Sequence, residues 1–114
     1  MKLPFICCRN RLRSPTAEFV FSSFEGMEAM SAGTSSDAKN QVSADLIEWA
    51  DLLFAMESVH RRRLQQQLGS VLRTKKVIVL GIPDDFSYMD TELIRILKEK
   101  VIPLLKAINP GKRS

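Results

Sequence analysis

Two adjacent cysteines, Cys7 and Cys8, close an apolar run and are followed by Arg9, Arg11 and Arg13, with Ser14 next in line. From Cys7 the chain reads Cys-Cys-Arg-Asn-Arg-Leu-Arg-Ser, which is Cys-x5-Arg-Ser. A thiolate is a strong nucleophile, and the planar fork of an arginine can hold two oxygens of one phosphate, which a lysine cannot do. A loop this short between a strand and a helix can turn successive backbone N–H groups around a single anion, here those of Cys8, Arg9, Asn10, Arg11 and Leu12. The helix dipole reinforces such a site. The same field stabilises a thiolate at Cys7, and Ser14 could donate a hydrogen bond to it. Asn10 tolerates the left-handed backbone that a loop curling around an anion requires. The expected chemistry is attack of Cys7 on phosphorus, with Arg13 and the loop amides binding the oxygens. Taken alone, Cys-x5-Arg more often marks a buried strand cysteine beside a solvated arginine patch, so the flanking elements have to supply the context.

Those elements follow from periodicity and breakers. Residues Lys2 to Ile6 read as a short strand, although Pro4 removes a ladder donor and favours a strand start or an edge. Ser14, Pro15 and Glu18 are N-terminal helix signals, with Ser14 as the cap and a helix over Pro15 to Phe21. Glu28 to Ser31 reads as a second strand closed by Ala32 and Gly33, and Thr34 to Lys39 as loop. Gln41 to Trp49 carries Val42, Leu46 and Trp49 at helical spacing, with Trp49 expected in the core, and Ala50 to Met56 is an almost unbroken buried strand. A helix over Glu57 to Leu68 should end at Gly69, and Lys76 to Ile82 is the clearest strand. Thr91 to Ile108 is amphipathic, with Leu93, Ile94, Leu97, Val101, Leu104 and Leu105 on its apolar side, and Pro103 should kink it or end it early.

Strands alternating with helices predict a single α/β domain, a four-stranded parallel sheet with helices on both faces and the phosphate loop after the first strand. Ligands of such sheets bind beyond the carboxyl ends of the strands, where Cys7, Gly33, Met56 and Asp84 fall. The domain is expected over residues 1–108, with 109–114 a basic C-terminal tail.

A chain of 114 residues, 45% hydrophobic and 26% charged, suits one soluble domain with a single active site on its loops. Apolar stretches such as Val77 to Ile82 are too short to cross a bilayer, so no membrane is expected, and a cytoplasmic location follows from the lack of a secretory pattern. The net charge of +4 raises nucleic acid as a partner, but the basic residues are clustered at Arg9 to Arg13, Arg61 to Arg63 and Lys112 to Arg113, and nucleic acid is not expected. Two cysteines and one histidine do not make a zinc site, so neither metal nor cofactor is expected. His60, beside Arg61 to Arg63, reads as a surface residue without a role. Tyr88 reads equally as a pocket wall or a loop anchor.

The residues around Cys7 resemble the low-molecular-weight protein tyrosine phosphatases. Phe5-Ile6-Cys7 and Arg13-Ser14-Pro15-Thr16-Ala17-Glu18 match that family's strand, Cys-x5-Arg-Ser loop and helix start, and Asn10 falls at its loop asparagine. Ser31-Ala32-Gly33-Thr34 looks like the end of its second strand, and Ala50 to Met56 like its third. Ile82-Pro83-Asp84-Asp85-Phe86 is similar to its late Asp-Pro-aromatic loop, with Asp85 in place of the proline. The resemblance implies that Asp84 is the general acid and that Phe86 flanks the substrate ring, with Asp85 as the competing acid. It implies a phosphatase acting through a cysteinyl-phosphate, on phosphotyrosine in a protein or on a small phosphate monoester.

This chain departs from the family in a shorter segment between Gly33 and Ala50, in Leu12 where many members have a second loop cysteine, and in the extra charges of Arg9 and Arg11. These features suggest a compact branch of the family. A vicinal Cys7–Cys8 disulfide is conceivable but strained. Arsenate reduction through a disulfide cascade is excluded for the isolated chain, because no cysteine follows Cys8. The alternative reading is a non-catalytic module that binds phosphate or phosphoprotein on the same fold. Oligomeric state is not legible.

Overall fold

Alternation of side chains along a strand sends Leu3, Phe5 and Cys7 to one face of the sheet and Ile6 to the other, and two apolar cores form on these opposite faces. The computed structural model describes residues 1–9 and 12–108. Its elements run β1 (Lys2–Cys7), α1 (Arg13–Ser22), β2 (Glu28–Gly33), α2 (Ala44–Trp49), β3 (Leu53–Ala55), α3 (Ser58–Leu72), β4 (Val77–Val79) and α4 (Thr91–Ile108). All pairings are parallel in the order β2-β1-β3-β4, giving a single α/β domain with helices on both faces. Ala17, Val20 and Phe21 of α1 and Leu93, Leu97, Val101 and Leu105 of α4 cover the face of Phe5. Ile47 of α2 and Leu64 and Leu72 of α3 cover the face of Ile6. Phe5 stacks between Phe21 and Phe54, with ring centroids 5.4 and 5.1 Å away, which fixes β1 at the centre of the domain.

Several expectations are corrected. Pro4 lies in an interior strand, which is tolerated because the β1–β3 register begins only at Phe5↔Phe54. Helix α1 starts at Arg13, with Leu12 at its N-cap, so Ser14 is inside the helix and does not cap it. Ser43 caps α2 instead, accepting the Leu46 N–H at 3.2 Å, which starts that helix later than Gln41. Trp49 stays out of the core; Ile47 fills that position, and the Lys2 ammonium sits 5.9 Å from the Trp49 ring centroid. Helix α3 runs past Gly69, after a non-helical Leu68. Helix α4 continues through Pro103 to Ile108, because its apolar stripe remains packed on the sheet on both sides of the proline. Among the described residues no helix is long and apolar enough to cross a membrane. The expected tail, 109–114, lies outside the described residues.

Beyond β4 the chain keeps contact with β3: Leu80 N–H donates to the Ala55 carbonyl at 2.8 Å and Ile82 N–H to that of Met56 at 2.9 Å. Gly81, at φ 69°, lets both neighbours make these bonds and bury their side chains. The loop carrying Asp84 is thereby launched from the carboxyl edge of the sheet, beside the end of β3.

Candidate active site

The loop between β1 and α1 is held from outside by the segment after β2. Carbonyl oxygens of Cys7, Cys8 and Arg9 accept from the backbone N–H groups of Thr34, Ser35 and Lys39 at 3.0, 2.9 and 3.1 Å. In a trans peptide the N–H points opposite to the preceding C=O. The N–H groups of Cys8 and Arg9 therefore point away from the 34–39 segment. Gly33 marks the closest approach: a Cβ there would lie 2.5 Å from the Cys8 carbonyl oxygen and 2.6 Å from the Ala38 Cβ. The Arg9 side chain leans toward Asp37, with Nε 3.8 Å from Oδ2, in an exposed and weak pair.

Cys7, Cys8, Arg9, Leu12, Arg13 and Asp84 line one cavity of about 290 Å³. Cys7 is buried, and it is not disulfide-bonded to the half-buried Cys8. Ser14 is fully buried one residue into the helix, and its hydroxyl has no hydrogen-bond partner among the described residues. Asn10 and Arg11 lie outside the described residues. Asp84 belongs to the cavity wall although its side chain is 66% exposed, and the exposed Asp85 lies outside that wall. Phe86 is partly buried against the larger core. Tyr88 is half exposed and lines a separate open groove with Phe19 and Met30, between α1 and β2.

Arg13 is only 4% exposed although it carries a full charge. Its Nη1 donates to Glu57 Oε1 at 2.6 Å and to the Ile82 carbonyl at 2.7 Å, and its Nε lies 3.7 Å from Asp84 Oδ1. Burying a guanidinium requires such partners, since an unpaired interior charge is costly. With Nη1 engaged, the Nε edge of the fork lies toward Asp84.

Sequence reasoning missed Glu57 and misplaced His60. Glu57 is the N-cap of α3; its side chain accepts the His60 backbone N–H, and Nδ1 of His60 accepts the Glu57 N–H at 3.0 Å. His60 is 2% exposed, because this reciprocal box folds the imidazole under the first turn of α3. Burial first, then the Arg13 charge, pushes its pKa down from 6.5 to about 4, against the opposing pull of Glu57. The imidazole is thus neutral at pH 7, as an accepting Nδ1 requires. The Glu-x-x-His spacing directly after a buried strand was the available signal. Among the described residues no cluster of His, Cys, Asp and Glu is arranged to hold a metal ion.

The doubly covered parallel sheet has Cys-x5-Arg-Ser between its first strand and its first helix. No family model matches the chain, and no curated protein matches it at a significant level. Solved structures do. A YwlE mutant from Bacillus subtilis is 26% identical, over 93% of this chain and 99% of that one, with a TM-score of 0.72. A low molecular weight protein tyrosine phosphatase from Streptococcus pyogenes is 19% identical, over 93% and 91% of the two chains, with a TM-score of 0.74. A YwlE arginine phosphatase with serine in place of a cysteine and phosphate on that active-site serine is 24% identical, over 93% and 97%, with a TM-score of 0.71. The chain has the fold of the low-molecular-weight protein tyrosine phosphatases.

Proposed function

We propose that this protein hydrolyses phosphate monoesters, with phosphotyrosine in proteins as its principal substrate class, through a cysteinyl-phosphate on Cys7. The observation that carries the reading is the convergence of Cys7, Arg13 and Asp84 on one cavity although 77 positions separate the first from the last. The Cys7 sulfur attacks phosphorus while the P–O bond to the leaving group breaks, and Asp84 gives its proton to the departing oxygen. Arg13 and the amides of Cys8 and Arg9, together with those of Asn10, Arg11 and Leu12, bind the three equatorial oxygens. Water then attacks phosphorus, Asp84 takes its proton, and the P–S bond breaks to release phosphate and the thiolate. The buried, unpartnered hydroxyl of Ser14 is suited to donate to that thiolate as it leaves. A serine-bound phosphate in the YwlE mutant supports covalent transfer at the corresponding position. A module that only binds phosphate would have no use for a carboxylate beside a thiol.

The arginine phosphatase neighbour makes phosphoarginine a second substrate to test. Steady-state hydrolysis of p-nitrophenyl phosphate, a phosphotyrosyl peptide and phosphoarginine is compared for wild type and Cys7→Ser. Turnover of the first two by wild type alone is expected. Binding of phosphate without turnover of any of the three would overturn the enzymatic reading. We place the protein in the cytoplasm, a reading supported by cysteines that are not disulfide-bonded.

A further inference from the structure

The loop from Ile82 to Met89 carries Asp84 and has no regular secondary structure, so something other than a backbone ladder must fix it. Both of its ends are tied to the first turn of α1. At one end the Ile82 carbonyl accepts from Arg13. At the other, the Met89 N–H donates to the Thr16 hydroxyl at 2.9 Å, a bond between residues 73 apart in sequence.

Thr16 has no solvent exposure, and both capacities of its hydroxyl are used. Its O–H donates to the Leu12 carbonyl at 2.7 Å, the back-bond to i−4 common for a helical threonine. With the proton committed there, the oxygen is left to accept, and it accepts from Met89. Met89 is the one non-glycine among the described residues with a positive φ, 61°. That conformation costs about 1 kcal/mol for a residue with a Cβ, comparable to the net worth of one hydrogen bond. The Thr16 bond is therefore what makes this turn of the chain affordable. Leu12, which receives the other bond, lines the cavity together with Asp84.

We propose that Thr16 is a positioning residue for the acid loop: its hydroxyl ties Met89 to the N-terminal turn of α1 and so keeps the carboxylate of Asp84 at the cavity. Methyl groups in place of the hydroxyl would preserve packing while freeing the loop at its far end. Transfer of the phosphoryl group to Cys7, which kcat/KM reports, would then suffer where the leaving oxygen needs a proton and much less where it does not. The proposal rests on the phosphatase reading for its kinetic consequence, but the tether itself can be measured without catalysis.

The experiment uses the full chain with Thr16→Val and Thr16→Ser. For Thr16→Val, kcat/KM on phenyl phosphate should fall about tenfold while kcat/KM on p-nitrophenyl phosphate changes less than twofold, and Thr16→Ser should recover most of the loss. Equal losses on both esters, or none on either, would overturn the proposal. Native-state hydrogen exchange supplies the independent arm: the Met89 amide should be protected in wild type and in Thr16→Ser, and lose at least tenfold of its protection in Thr16→Val. A wild type that hydrolyses neither ester would sink the phosphatase reading but leave this arm to decide the tether, and an unprotected Met89 amide in wild type would overturn it.

Discussion

Nη1 of Arg13 lies 2.7 Å from the carbonyl oxygen of Ile82, so the arginine that opens α1 is bonded to the residue that opens the loop carrying Asp84. The same nitrogen meets Glu57 at 2.6 Å. One side chain from α1 thus bonds the segments that follow β3 and β4, and its place depends on both.

Arg13→Lys should lower kcat/KM on p-nitrophenyl phosphate by about a hundredfold or more, although the charge is kept. A single ammonium cannot bond Glu57 and Ile82 and still present a planar edge to two phosphate oxygens. Arg9→Ala should mainly raise KM, since that exposed side chain is drawn toward Asp37. Equal losses in the two variants would point to a diffuse electrostatic patch.

Asp84→Asn should reduce kcat/KM for phenyl phosphate by about a hundredfold, and for p-nitrophenyl phosphate by much less, because an activated aryl oxide departs without a proton. The basic limb of the pH profile should vanish in the variant. Asp85→Asn serves as the control, being outside the cavity wall. If Asp85→Asn shows the leaving-group dependence and Asp84→Asn does not, the acid is Asp85.

His60 gives the fold a defined pH dependence. Its pKa is about 4 in the folded protein and near the ordinary 6.5 when unfolded, so between these values the unfolded chain binds a proton that the folded one does not. Stability from this group is complete above pH 6.5 and falls as pH drops toward 4, by roughly 3 kcal/mol in all. Urea unfolding of wild type and His60→Asn across pH 7 to 4 checks the sign. The asparagine, which can accept the Glu57 N–H but does not titrate, should show a shallower decline.

Gly33→Ala should destabilise the chain by about 1 to 3 kcal/mol and weaken phosphate binding together, since the new Cβ would meet the Cys8 carbonyl oxygen at 2.5 Å and displace the loop backbone. Thermal unfolding and calorimetric titration with inorganic phosphate measure the two effects. Unchanged phosphate affinity would show that the 34–39 segment does not set the loop's shape.

Period-two and period-3.6 patterns revealed the alternating elements, because burial on one or both faces imposes them locally. The paired extent of β3 and β4 was shorter than their apolar runs, since hydrogen bonding to a neighbour defines a strand and hydrophobicity alone does not. The sequence by itself determined the Cys-x5-Arg-Ser spacing of Cys7, Arg13 and Ser14 between a strand and a helix, because these residues lie in one short connection of the chain. Only the tertiary structure decided what surrounds Arg13. Glu57 reaches it from the end of β3, and Ile82 and Asp84 from the chain after β4, and no local rule links residues 44 or 69 positions apart. His60 illustrates the reason most directly: beside three arginines it reads as surface, yet the box with Glu57 buries it, because a side chain's environment is set by what packs above it and not by its neighbours in the chain.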